Sequence, residues 1–132
     1  MIFKITPDQK LKAVEICTEG PADLSGFNSI FQSIVNLPDW QPGKSIIFDF
    51  TDLDFSGFKS VDMRLVSDQV VRYKASFGMA KWAFILSGDL QFGLMRMWEI
   101  ITEDRVPMII NLFKNRADAR AWIMKTNMKA IS

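Results

Sequence analysis

Apolar positions follow two rhythms along this chain. Residues 2–6 and 11–17 are short and rich in β-favouring side chains, and the Pro7-Asp8 pair between them is a turn signal. They predict an opening hairpin. Gly20-Pro21 breaks the chain. From Asp23 onward, Leu24, Phe27, Phe31 and Ile34 recur at helical spacing. Leu37-Pro38 closes that helix, because the residue before a proline avoids helical torsions. Strands and helices then alternate. Residues 45–50 read as a strand, and Met63, Val66, Val70, Tyr73 and Phe77 as a helix face, with Ser60 as N-cap and Gly78 as its end. Residues 81–87 (KWAFILS) are a strand. Ser87-Gly88-Asp89 opens a third helix with Leu90, Leu94, Met97 and Ile101 on its buried face. Residues 106–113 form a further strand, and Asn115 caps a last helix carrying Ala119, Trp122 and Ile123.

The strands at 45–50, 81–87 and 106–113 are apolar on both sides, which predicts parallel, central strands buried under helices. Right-handed crossovers would join them, with the hairpin at the side. The fold class is therefore α/β and layered. With 132 residues the chain predicts one domain, 1–132. A composition of 48% hydrophobic and 23% charged residues fits a packed core rather than a disordered chain. The net charge of +1 is scattered along the sequence, so the basic footprint of a nucleic-acid binder is missing. No apolar run has membrane-spanning length, and no leader pattern is visible. The single cysteine, Cys17, falls in a strand pattern and is expected to be a small buried hydrophobe. One thiol suits a reducing compartment, so a soluble, cytoplasmic protein is expected. With no histidine, Ser-His and Cys-His catalysis and histidine-based metal sites are excluded.

Residues 44–60 (KSIIFDFTDLDFSGFKS) form the candidate functional edge, because a buried strand there empties into a polar loop. Asp49, Asp52 and Asp54 could hold Mg²⁺, but capping and solvation of the loop is the preferred reading. Ser56, Gly57, Lys59 and Ser60 precede a helix N-terminus. They read as a modified or phosphate-binding loop, or as ordinary turn chemistry, and the second is favoured. Ser87 and Gly88, with Lys114, Asn115 and Arg116 after the last strand, would share the same sheet edge. They make either a small-ligand crevice or a set of caps, and Asp89 would repel an anion there. Phe92, Met95, Arg96 and Trp98 lie off the predicted stripe of their helix, which makes them core or a partner surface. No catalytic residue, metal or cofactor is assigned.

The segment IIFDFTDLDFSGF resembles the strand-loop of STAS, or SpoIIAA-like, anti-sigma-factor antagonist domains. Ile47, Asp49, Phe50, Thr51, Leu53, Phe55, Ser56 and Gly57 fill that family's order. KWAFILSGDLQFGLMRMWEI and VPMIINLFKNRADARAWI are similar to a bacterial subgroup of SpoIIAA-like proteins. The resemblance implies a SpoIIAA-like layered fold, with an N-terminal β-hairpin followed by alternating helices and largely parallel strands. It also implies a non-enzymatic regulatory role through a protein partner, which would face Asp52, Asp54, Ser56, Gly57, Lys59 and Ser60. The chain departs from the antagonists at one point, because Phe55 stands where an Asp-Ser pair would precede Ser56-Gly57. CRAL-TRIO lipid-binding domains share the fold class, so a carrier or sensor of a small amphipathic ligand is the alternative expectation. A homodimer through the Phe92–Trp98 patch is expected as well. An enzyme built on the acidic loop ranks last.

Overall fold

The computed structural model describes residues 1–129, with side chains through Lys125, so the last three residues of the expected domain lie outside the described residues. The chain runs β1 (Ile2–Asp8), β2 (Ala13–Pro21), α1 (Leu24–Val35), β3 (Ser45–Asp54), α2 (Ser60–Phe77), β4 (Lys81–Ile85), α3 (Gly88–Thr102), β5 (Ile109–Phe113) and α4 (Arg116–Lys129). A short 3₁₀ turn, Glu103–Arg105, follows α3. The strands form one sheet in the order β1-β2-β3-β4-β5. β1 is antiparallel to β2, and every later pair is parallel.

Each helical crossover from β2 to β5 advances one strand in the same direction. A common hand therefore places α1, α2 and α3 on one face of the sheet. The side chains agree. Val14, Ile16, Ile46, Phe48, Trp82 and Phe84 point from alternate strand positions into a core closed by Phe27, Phe31, Val70 and Phe77. Phe48 stacks on Phe84 with centroids 4.7 Å apart, and Trp82 meets Phe77 edge-on at 4.9 Å. On the opposite face Ala13, Ile47, Ala83 and Ile85 pack under Ala119 and Ile123 of α4. Two ion pairs pin α4: Arg116 with Glu15 and Arg120 with Asp8, each at 2.6 Å. The Arg120 bond, then the Leu11 amide, hold the Asp8 carboxyl below the usual carboxylate range.

The helix ends have local causes. Asp23 caps α1 by accepting from the Gly26 amide. Gly78 ends α2 at φ +68°, and a Cβ there would come within 3.0 Å of Pro42, so both the torsion and the space call for glycine.

Two expectations fail here. β5 is an edge strand rather than a central one, and it begins at Ile109 rather than at residue 106. Its apolar run does not mean burial on both faces, since Ile109 is 53% exposed. The buried stripe of α3 is Gln91, Met95, Trp98 and Thr102, and Leu90 is 58% exposed. Met95 and Trp98 are core residues, so the expected Phe92–Trp98 surface patch does not exist as a patch. Phe92 is half-buried against the core. Arg96 is exposed and pairs with Glu99 one turn on, at 3.9 Å. Burial pushes the Glu99 carboxyl up, against the pull of Arg96.

The β5 edge is guarded. Ile109 donates to Ala80 O, and Phe113 O accepts from Leu86, so these alternate positions face β4 and Leu112 N–H faces outward. That outward amide is taken by the Asn111 side chain at 2.9 Å. A strand with an outer amide already occupied is a poorer template for a second chain. Asn111→Val should free this amide and add a β-branched side chain. Light scattering at high protein concentration should then show association that the parent lacks, and equal scattering would remove the guard role.

Candidate functional site

The site begins with a mismatch of strand lengths. β3 has ten residues and β4 five. β3 pairs with β4 only as far as Asp49↔Ile85, while its pairing with β2 continues to Asp54↔Pro21 past an irregularity opposite Cys17 and Glu19. Beyond Asp49 the β3 carbonyls lose their ladder on the β4 side. Side chains replace it. Gln91 Nε2 donates to Phe50 O and Leu53 O, both at 2.8 Å, and its Oε1 accepts from Ser87 N at 2.8 Å. Ser87 Oγ donates to Thr51 O at 3.0 Å. From the other side Thr18 Oγ1 donates to Asp49 O at 3.1 Å. Gln91 and Thr18 are both buried. Sequence reasoning missed both. The available signal was a glutamine in helical register with Met95 and Trp98.

The chain then makes a tight turn over Phe55-Ser56-Gly57-Phe58, closed by Phe58 N–H to Phe55 O at 2.9 Å. Phe55 and Phe58 are buried, and both rings contact Phe27. Ser56 and Gly57 project into solvent between these two anchors. Asp54 accepts from the Ser56 amide at 2.8 Å, and the backbone and side-chain bonds from Ser56 hold the Asp54 carboxyl below its ordinary value. A Cβ on Gly57 would meet nothing within 4 Å, so the turn does not need glycine there. Asp52, Asp54, Ser56, Gly57, Lys59 and Ser60 are all exposed. α2 is capped one residue earlier than the spacing predicts: Lys59 is the N-cap, Ser60 is the first helical residue, and Asp62 reaches back to accept from Lys59 N–H at 2.8 Å.

The second group is engaged in structural bonds at the same sheet edge. Ser87 caps the β3 end, with Gly88 opening α3 at φ +76°. Asn115 caps α4 by accepting from Asp118 N–H at 2.9 Å. Arg116 is committed to Glu15, and Lys114 is exposed. Asp89 sits in the first turn of α3.

Cys17 is exposed, not buried as expected, because its position on β2 faces the side that α4 only partly covers. Loss of water around the thiol, then the carboxylates of Asp49 and Glu15, push its pKa up. Glu15, Cys17 and Asp49 each bring a ligand atom within 4.8 Å of the others. Both carboxylates already have partners, Glu15 in Arg116 and Asp49 in the Thr51 amide and hydroxyl. Asp52 and Asp54 do not join the cluster.

Inside the main core, Phe48, Phe50, Trp82, Phe84, Met95 and Trp98 border a void of about 20 Å³. That is room for one water. The indole N–H groups of Trp82 and Trp98 are buried without a hydrogen-bond partner.

The arrangement of sheet and helices defines the class: the chain has a SpoIIAA-like fold. It is similar to the crystal structure of a protein of the DUF3478 family with a SpoIIAA-like fold from Shewanella loihica PV-4, at a TM-score of 0.63 and 18% identity over 92% of each chain. No family model and no curated protein matches the sequence. Among the described residues no helix is long and apolar enough to cross a membrane.

Gln91→Leu should leave two buried carbonyls and one amide without partners, costing roughly 2–4 kcal/mol of stability. Denaturant unfolding measures that loss, and hydrogen exchange should rise most over residues 50–58. A change below about 0.5 kcal/mol, the range of an ordinary surface substitution, would show the clamp to be dispensable.

Proposed function

We propose that this chain is a non-enzymatic interaction module that docks a regulatory protein partner on the edge formed by Asp52, Asp54, Ser56, Gly57, Lys59 and Ser60. The observation that carries the reading is the Phe55–Phe58 turn. Two buried phenylalanines hold it rigid while its polar tip stays in solvent, so little ordering entropy opposes docking. Val61, 56% exposed on the first turn of α2, supplies an apolar contact beside it. Self-association as a homodimer belongs to the same proposal. It is carried by Leu90 and Ile100, exposed apolar residues of α3, in place of Met95 and Trp98. The void in the core has room for one water and too little for an acyl chain, so it lends the carrier reading no support.

The two serines give the test. A phosphate on Ser56 would sit beside Asp54, whose carboxylate already takes the Ser56 amide, and repulsion would open the turn. A phosphate on Ser60 would lie in the first turn of α2, where free amides favour negative charge. In binding assays with a partner captured from native lysate and then purified, Ser56→Asp should weaken binding with little change in melting temperature. Ser60→Asp should keep or slightly raise the melting temperature. Wild-type binding by both variants, and by Val61→Asp, would reduce the loop to a structural element. Sedimentation velocity at high micromolar concentration should show a dimer that Leu90→Asp disrupts, and a monomer in both samples would end the dimer proposal.

A further inference from the structure

At the sheet edge opposite the Ser56 turn, a recess of about 600 Å³ lies between the β1–β2 turn and the segment leading into β3. Lys10, Lys12 and Lys44 line it, with Pro7, Pro42 and the edge of Leu11 supplying apolar wall. Arginines form ion pairs elsewhere on the surface: Arg96, Arg105, Arg116 and Arg120. None of the lysines of the recess has a carboxylate partner there. Lys44 Nζ donates to the Asp39 carbonyl at 3.3 Å, which fixes its position and leaves its charge uncompensated. The carboxylate on the rim, Asp8, is used by Arg120 and the Leu11 amide. Lys12 is also, among the described residues, the non-glycine residue with positive φ, +51°, a torsion that β-carbon-bearing residues avoid. Three lysines thus border the recess, Lys12 in an unfavourable torsion, and the carboxylate beside them, Asp8, is already paired with Arg120.

We infer that this recess binds the phosphate group of a small phosphorylated molecule or of a lipid headgroup. Ammonium groups act as compact point charges that suit a multiply charged oxyanion. No arginine lines the recess, so no planar fork fixes the orientation of the oxyanion, and the lysines act on it through charge alone. The proline and leucine walls would take the less polar part of the ligand. This site is separate from the Ser56 edge, so the two proposals can fail independently.

The test is an NMR titration of ¹⁵N-labelled protein with sodium pyrophosphate, ionic strength being held constant with sodium chloride. A parallel arm uses phosphatidylcholine vesicles with and without phosphatidic acid. Amides of residues 9–13 and 43–45 should shift saturably. Lys10→Gln and Lys12→Asn should each weaken binding about tenfold, as the loss of one charge-assisted bond of about 1.4 kcal/mol would. Lys12→Asn is also the folding control. Asparagine accepts the left-handed torsion, so its ligand-free melting temperature should be kept or raised. Ser56→Asp should bind as the parent does. Pyrophosphate binding assigns a soluble ligand, and binding only to phosphatidic acid vesicles assigns a headgroup; either supports the site. No saturable shift in either arm, shifts confined to other residues, or undiminished binding by both lysine variants would overturn it.

Discussion

Gln91 satisfies the end of β3 where β4 no longer reaches it, and much of the remaining structure depends on that substitution. A strand longer than its neighbour leaves buried carbonyls that water cannot reach, and such groups must find partners. Here one amide side chain takes two of them and returns its own oxygen to the Ser87 amide. The same bonds set the rotation of α3 about its axis. Once Gln91 faces β3, Met95, Trp98 and Thr102 follow on the same side at helical spacing. Thr102 then meets Ser67 of α2 at 2.9 Å, and Arg105 closes the contact through Ser67 and Asp68. The loop that carries Ser56 is therefore tied through α3 to the α2–α3 interface.

This explains which parts of the fold were legible in the sequence. The buried residues of α1 are all apolar, and α2 keeps Met63, Val66, Val70 and Phe77 at helical spacing beside buried Ser67 and Gln69, so periodicity alone found Phe27, Phe31, Ile34, Val66 and Val70. α3 carries two adjacent stripes. The wholly apolar one, Leu90-Leu94-Met97-Ile101, won by pattern, but the buried one begins and ends in polar residues, Gln91 and Thr102. Their burial depends on partners far along the chain, at Phe50, Leu53 and Ser67, which no local pattern shows. β5 misled for a related reason. An apolar run signals burial by something, and an edge strand can meet that with one neighbouring strand, a helix on each face and an asparagine guard. The loop residues 52–60 were legible as exposed because their acids and Ser-Gly pair cannot be core. The buried anchors Phe55 and Phe58 that make the loop rigid were not read as such.

Cys17 and the Lys59 cap mark the scale at which local reading fails. A cysteine in an apolar strand is usually buried. The helix layer covers one face of β2, however, and α4 reaches only part of the other, so on that face Ala13 and Glu15 are buried while Cys17, further along the strand, is exposed. The cap of α2 moved one residue because Asp62 accepts the Lys59 amide, so the helix start is fixed from inside the helix and a capping hydroxyl at Ser60 is unnecessary.

α4 is tied to the first two strands. Its first residue, Arg116, holds Glu15 of β2, opposite Ile47 of β3, and one turn later Arg120 holds Asp8 at the end of β1 that bears the lysine recess. Asp8 also fixes the β1–β2 turn through the Leu11 amide. Neutralising Asp8 with acid, or removing Arg120, would therefore loosen the turn that positions Lys10 and Lys12 before it disturbed the aromatic core. That core is closed by α1, α2 and α3 on the other face of the sheet. The two faces thus divide the work. The aromatic face carries the folding energy and fixes the Ser56 turn through Phe55 and Phe58. The α4 face has a smaller apolar cluster and also sets, through two arginines, the geometry of Glu15 and Asp8.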